Sequence, residues 1–291
     1  MNPKGGIILV TGATGTLGTE VVKQLSKAGA SVRAAVHTKE KSNIIEGEGI
    51  EFVDFDHNRP ETLSAAFKGV EKLFLLTPVV DNMVEITSLL IEYAKNAGVK
   101  HIVKQSALGA DANSQVNLLR WHREAERVIE KSGIPYTFLR PNVFMQNFVN
   151  SYGQTIKAQN TIYSPAGEGR VGFVDVRDIA MVAAKVLTSK GHEGKIYKIT
   201  GPEAISYSKA AQILSEALGR KISFVNVSEE EARKGLKESG LPDWMVDGFV
   251  KLGIASREGQ LSIVLPTVED VTGRKPRSFS DFAKDYANAL K

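Results

Sequence analysis

Two hydrophobic rhythms alternate along the first half of the chain. Short, continuous apolar runs occur at 6–11 (GIILVT), 31–36 (SVRAAV), 50–55 (IEFVDF), 72–77 (KLFLLT), 100–107 (KHIVKQSA) and 136–141 (YTFLRP). Such runs suit strands covered on both faces. Between them, at 17–29, 61–67, 83–98 and 115–133, apolar residues recur at helical spacing. Leu17, Val21, Val22 and Leu25 mark the apolar stripe of the first helix, Gly29 its stop, and Pro60 a first-turn position two elements later. Regular strand–helix alternation predicts parallel βαβ units with right-handed crossovers, hence helices on both faces of one sheet.

After Pro141 the rhythm changes. Residues 142–159 read as helical and 164–170 as a loop, while 171–187 reads as a short strand feeding a helix and 195–201 as another strand. Both of those strands are expected to return to the main sheet. The tail, 202–291, is predicted to be mostly helical, with an isolated strand at 221–227. The expected division places 1–150 plus 171–201 in one domain and 151–170 plus 202–291 in a smaller lobe, with a cleft between them.

Glycine supplies the first chemical signal. Gly12, Gly15 and Gly18 fall in the turn after the first strand and at the opening of the first helix. A turn of that kind lets backbone approach a ligand closely, and the helix N-terminus behind it favours a diphosphate. The G-x-x-G-x-x-G spacing is one residue longer than G-x-G-x-x-G and implies a wider turn. The predicted fold class is therefore α/β, a Rossmann-type doubly wound parallel sheet with a smaller, mostly helical C-terminal lobe. The tip of the second strand carries His37, Thr38, Lys39 and Lys41, with the nearest acid, Glu40, already in the next turn. Cations and hydroxyls there accept a ribose 2′-phosphate and a carboxylate repels it, so NADP(H) is the expected coenzyme, with NAD(H) the alternative. The segment DFDH (54–57) is expected to cap a turn. If the strand ran on, Asp54 and Asp56 would point to opposite faces and could not share a metal ion.

Composition narrows the classes further. Thirty-seven Lys and Arg against 33 Asp and Glu give a net charge of +4, with no basic block, so nucleic acid is not an expected partner. Cysteine is absent, which excludes thiolate and disulfide chemistry. No apolar run approaches the ~20 residues of a membrane span, and the N-terminal MNPKGG lacks a signal-peptide profile. A cytoplasmic protein without membrane contact, monomeric or homodimeric, acting on a small-molecule acceptor, is expected. The five histidines form no helical metal pair and no metal is expected; G-x-S-x-G and G-K-[ST] loops are missing.

Four segments, VTGATGTLG, GVKHIVKQSALGA (98–110), HREAERVIEKSGIPYTFLRPNVFMQNF (122–148) and FVDVRDIA (173–180), together resemble the NmrA-like branch of the atypical short-chain dehydrogenases/reductases over nearly the whole chain. The resemblance implies a Rossmann fold with a small C-terminal substrate lobe. It brings in quinone reductases, triphenylmethane-dye and azo-dye reductases, and redox-sensing regulators without turnover. Coenzyme contacts are expected from Thr11, Gly12, Thr14, Gly15, Thr16, Leu17 and Gly18, and from His37, Thr38 and Lys41. Asp54, Phe55, Thr77, Pro78, Gln105, Ser106, His122, Pro141, Asn142 and Phe144 complete that set. Val79, Met145, Phe148 and Tyr152 are expected toward the substrate, although the near-helical spacing of Phe144, Met145, Phe148 and Tyr152 equally suits a lobe core.

The chain departs from the wider family at one place. Extended short-chain dehydrogenases carry Tyr-x-x-x-Lys on the helix after the fifth strand. Aligned on Ala125-Glu126, this chain has Leu118 at the Tyr position and His122 at the Lys position. Leu118 cannot donate a proton. Hydride attack on a plain ketone makes a basic alkoxide that gains from a positioned acid; attack on a quinone or a cationic dye does not make one. The expected activity is transfer of hydride from NADPH to a conjugated, electrophilic acceptor. A non-catalytic NADP(H) sensor, and an imine or ketone reductase with another proton donor, stand as alternatives. His122, with an ordinary pKa near neutrality, is the expected proton relay or ribose ligand, and Ser106 the matching family serine.

Overall fold

Every strand foreseen in the first half forms, and each is parallel to its neighbours. The computed structural model describes residues 6–37, 45 and 47–291. In chain order the elements are β1 (Ile7–Val10), α1 (Thr16–Lys27), β2 (Val32–Val36), β3 (Ile50–Asp54), α2 (Pro60–Phe67), β4 (Val70–Leu75), α3 (Met83–Asn96), β5 (His101–Gln105), α4 (Asn117–Lys131) and β6 (Tyr136–Pro141). There follow α5 (Asn147–Asn150), α6 (Gly153–Gln159), β7 (Thr161–Ser164), β8 (Arg170–Val171), α7 (Val176–Thr188), β9 (Ile196–Ile199), β10 (Ile205–Ser206), α8 (Tyr207–Leu218) and β11 (Ser223–Asn226). The chain closes with α9 (Glu229–Glu238), α10 (Asp243–Arg257), α11 (Thr267–Thr272), α12 (Phe279–Asp285) and α13 (Ala287–Leu290).

The chain divides into two units, the first made of Met1–Asn113, Leu119–Arg140 and Val176–Lys198, the second of Ser114–Leu118, Pro141–Asp175 and Ile199–Lys291. The first unit is built on the seven-stranded sheet β3-β2-β1-β4-β5-β6-β9. This is a Rossmann-type sheet. Its order reverses between β1 and β4, and ligands of such sheets bind beyond the strand C-termini at that switch. Alternate residues of each strand face opposite helix layers. Leu9, Leu73, Leu75, Ile102 and Phe138 enter one apolar cluster with Leu90 and Ile91 of α3, each fully buried side chain contributing about 1.5–3 kcal/mol. On the other face of β4, Lys72 donates to the Leu187 carbonyl of α7.

The C-terminal part is mainly helical, and three expectations need correction there. The strand at 171 does not return to the main sheet; only β9 does. Instead β8 pairs antiparallel with β10, Val171 opposite Ile205. Its backbone is claimed locally, since Gly172 N donates to the Leu261 carbonyl and a Cβ on Gly172 would lie 2.4 Å from the Ile263 oxygen. Residues 142–159 are not one helix. Phe144 bridges Val174, and Met145 N and Val174 N bond to Val174 O and Val143 O, so helix begins only at Asn147 and is broken before Gly153. Nor is the late strand isolated. Asn160, in the left-handed region (φ 53°), ends α6 and starts β7, which pairs parallel with β11.

Candidate functional site

The glycine turn sits at the switch point, directly after β1. Gly12 has φ +60°, a conformation that disfavours other residues. Gly18 serves packing: a Cβ there would fall 2.0 Å from the Gly12 carbonyl oxygen, so α1 could not lie against the turn. Gly15 is the N-cap of α1 and exposed, no side chain caps that end, and its first turn carries no acid. The positive dipole end of the helix is therefore not neutralised by a capping or acidic side chain and favours an anion. Beyond the C-terminus of β4, the Thr77 hydroxyl is buried without a partner among the described residues. A buried orphan hydroxyl is costly unless a ligand or water satisfies it. A helix N-terminus without a side-chain cap over a glycine turn, with an orphan hydroxyl beyond β4, the neighbouring strand in the sheet, fits a nicotinamide dinucleotide.

Other expected coenzyme residues fall variously. Thr11 is committed to structure, its hydroxyl donating to Leu76 O and accepting from Leu76 N, both at 2.8 Å. Leu17 is buried and offers only backbone, while Thr14 is half-buried and Thr16 exposed. His37 stands exposed after β2; Thr38 and Lys41 lie outside the described residues. The second strand pair does not run on past Asp54. Because β3 stops there, Asp54 and Asp56 do not diverge but both reach Arg59, at 2.7 and 3.3 Å. Asp56 also accepts from Asn58 N, closing the expected turn cap. Phe55 packs partly against the first unit's core. Pro78 and Val79 are exposed, and the Gln105 amide donates to the Ser106 carbonyl.

A polar ladder lies between β5 and α4. Lys104 on β5 and Ser106 just after it face His122 and Glu126, four apart on a helix. Glu126 is fully buried. Its carboxylate accepts from Ser106 Oγ at 2.6 Å, from Arg140 through both Nε and a terminal nitrogen, and from Arg123 at 3.1 Å; Arg123 also pairs with Glu130. Ser106 has no exposure and its hydroxyl is spent on Glu126, so it braces the ladder.

Lys104 was not foreseen. It has no exposure, its ammonium donates to Gln105 O at 2.7 Å, and it sits 3.3 Å from His122 Nδ1. Burial lowers its pKa to about 8, against the pull of nearby Glu126. A lysine inside a central strand of a doubly covered sheet was the signal in the sequence, because such a residue requires partners. His122 is 5% exposed. Burial, then Lys104 and Arg140, hold its pKa well below the ordinary 6.5. The imidazole is neutral at physiological pH, so the expected titration near neutrality does not occur. With Lys104 donating to Nδ1, the ring proton is assigned to Nε2, which has no partner among the described residues.

In the second unit, Pro141 and Asn142 are buried and Phe144 half-buried. The Asn142 side chain donates to Leu261 O at 2.9 Å and accepts from Val143 N, so both ends of its amide are used internally. Met145 and Phe148 are 1% and 0% exposed. Phe148 meets Phe173 and Phe279 edge-on, at 5.2 and 4.9 Å between centroids, and tilts against Tyr152 at 5.6 Å. Met145 and Phe148 are therefore core, with no surface to offer a substrate, whereas Tyr152 is half-buried and packs against Phe148 and Tyr207. Among the described residues no group of three or more His, Asp or Glu could hold a metal ion, and no helix is long and apolar enough to cross a membrane.

The NmrA-like family model matches residues 4–253. The chain belongs to the NmrA-like family. It is 40% identical over 284 residues to the NAD(P)H azoreductase of Xenophilus azovorans, spanning 98% of this chain and 99% of that one. Its structure is similar to that of Citrobacter sp. triphenylmethane reductase complexed with NADP(H), with TM-score 0.83, 32% identity and coverage of 96% and 99%. It is likewise similar to the Escherichia coli NADPH-dependent quinone oxidoreductase QOR2 complexed with NADPH, with TM-score 0.85, 30% identity and coverage of 96% and 99%.

Proposed function

We propose that this protein is an NADPH-dependent reductase that delivers hydride to a conjugated, electrophilic acceptor, quinone-like or dye-like, without a Tyr-x-x-x-Lys pair. The observation that carries the reading is the uncapped, acid-free N-terminus of α1 over the Gly12–Gly18 turn at the sheet's switch point. The names of the three relatives, each matched over nearly its whole length, point the same way.

When bound, the reduced nicotinamide supplies the hydride. Everything else falls to this chain. Backbone amides of the turn and of the first turn of α1 would bind the diphosphate. His37, with Thr38 and Lys41, would receive the 2′-phosphate, and Thr77 would give its hydroxyl to a polar edge of the coenzyme. Leu118, where a phenol would stand, supplies no proton. His122, neutral, presents an N–H donor in place of an imidazolium. Such a site suits acceptors whose own conjugation stabilises the electrons they receive, and orientation becomes the protein's main contribution.

An NADPH-oxidation panel tests this: a simple quinone, an azo dye, a triarylmethane dye and a saturated ketone, with NADH run alongside. Consumption with the conjugated acceptors and none with the ketone is expected. Coenzyme binding with no consumption by any acceptor would make the protein a sensor. Replacing His37→Glu and Lys41→Glu together should erode the preference for NADPH over NADH.

A further inference from the structure

Hydride transfer to a quinone or an azo bond leaves negative charge on oxygen or nitrogen, and that atom must gain a proton. Neither obvious donor can supply it alone. Leu118 has none, and a neutral imidazole is too weak an acid. Turning His122 into an imidazolium first is opposed by the two cations beside it, Lys104 on β5 and Arg140 on β6. Glu126 is fully engaged by Ser106, Arg140 and Arg123. The remaining acidic proton in the ladder is on the Lys104 ammonium, which is directed at His122 Nδ1.

We propose that Lys104 is the proton reservoir of this site and works through His122, as a relay. This rests on the reductase reading above. The Nε2–H bond of His122 breaks as an O–H or N–H bond forms on the reduced acceptor. In the same event a proton leaves Lys104 Nζ and bonds to His122 Nδ1. The ring stays neutral throughout, exchanging one tautomer for the other, and lysine is left as the amine. A solvent water then gives a proton to Nε2 and leaves as hydroxide, and the Nδ1 proton returns to Nζ. No further reductant or oxidant takes part. The charged and polar groups around the pair are Glu126 and, linked to it, Arg123 and Glu130 from α4, Ser106 just after β5 and Arg140 from β6; the last four are tied to Glu126 or to one another.

The relay separates acceptors by chemistry. A quinone needs the proton; a cationic triarylmethyl dye becomes neutral on receiving hydride and does not. In Lys104→Met the ratio of quinone to dye turnover should fall roughly 10²-fold, the low end of what a positioned proton donor contributes. Quinone turnover of the unaltered protein should decline as pH rises through about 8, a limb that Lys104→Met lacks. Independently of turnover, nitrogen-15 NMR of labelled histidine in the unaltered, coenzyme-free protein should show His122 as the Nε2–H tautomer, its Nδ1 resonance moving as Lys104 loses its proton. That measurement stands if Lys104→Met fails to fold. An Nδ1–H tautomer, or an unchanged quinone-to-dye ratio with a flat profile through that pH, overturns the relay while leaving the reductase reading intact. Failure of every acceptor to consume NADPH overturns both.

Discussion

Lys104, Ser106, His122 and Glu126 in the first unit are as dry as Phe148, Phe173 and Phe279 in the second: none is more than 5% exposed. The aromatic cluster needs only shape. Its rings meet at 4.9–5.9 Å. The ladder instead needs polar partners for its buried charges, and they come from several elements: β5 and the residue after it, α4 and β6. Buried ion networks of this kind are weak evidence for stability, because desolvation offsets most of their attraction. A protein that keeps one between a strand and a helix, where leucines would pack as well, has a use for the charges. The difference separates an interior that holds the fold from one that sets the state of His122.

The largest expected effect breaks the ladder. Glu126→Ala leaves the Arg140 guanidinium and the Ser106 hydroxyl buried without their acceptor, and should lower unfolding free energy by about 3–5 kcal/mol in urea titration. Phe148→Ala removes the ring at the centre of the other interior and should lower it by about the same 3–5 kcal/mol through a cavity. The two part company in pH and salt, to which only the Glu126 variant should respond. If Phe148→Ala instead abolished coenzyme binding in a folded protein, its assignment to core would be wrong.

Lys104 gives the next effect. The unfolded lysine keeps its proton to near 10.5, whereas the folded one releases it near 8. Between those values the unfolded chain binds more protons, so stability rises with pH, by roughly 3 kcal/mol across the window. His122 acts in the same sense at lower pH. Unfolded, it takes a proton below about 6.5, and folded it resists, so stability falls as pH drops below that value. Comparing unaltered protein with Lys104→Met between pH 7 and 10 by denaturant titration isolates the lysine, and parallel curves would refute its burial as a charged group. Smallest is the surface pair: Arg59→Ala removes exposed contacts to Asp54 and Asp56 and should leave the melting temperature unmoved.

Much of this fold can be read from pattern because a doubly covered parallel sheet writes its strands as apolar runs and its helices as stripes. Gly29, Pro60 and the glycine turn mark boundaries that local backbone physics enforces. Residues 142–159 and 170–171 misled for the opposite reason. Their backbone partners, Val174, Leu261 and Ile205, are distant in sequence, and no local propensity announces them. In the site, positions were legible and states were not. His122 stands where the helix register puts it, yet its charge depends on Lys104 and Arg140, which belong to other strands. Ser106 was correctly placed at the end of β5, but which way a hydroxyl is spent depends on Glu126 across the interface. For Met145 and Phe148 one spacing served both core and platform, and burial alone distinguishes them.

The central claim is that hydride passes from the coenzyme to a conjugated acceptor with no phenol to help. A cationic triarylmethane dye reads this most directly, because a hydride added to its central carbon does not exchange with water. With NADPH fully deuterated at the nicotinamide C4, the account predicts a bleached product whose central carbon carries deuterium, identified by mass spectrometry. A bleached product without the label, or an unbleached dye in the presence of bound NADPH, would contradict it.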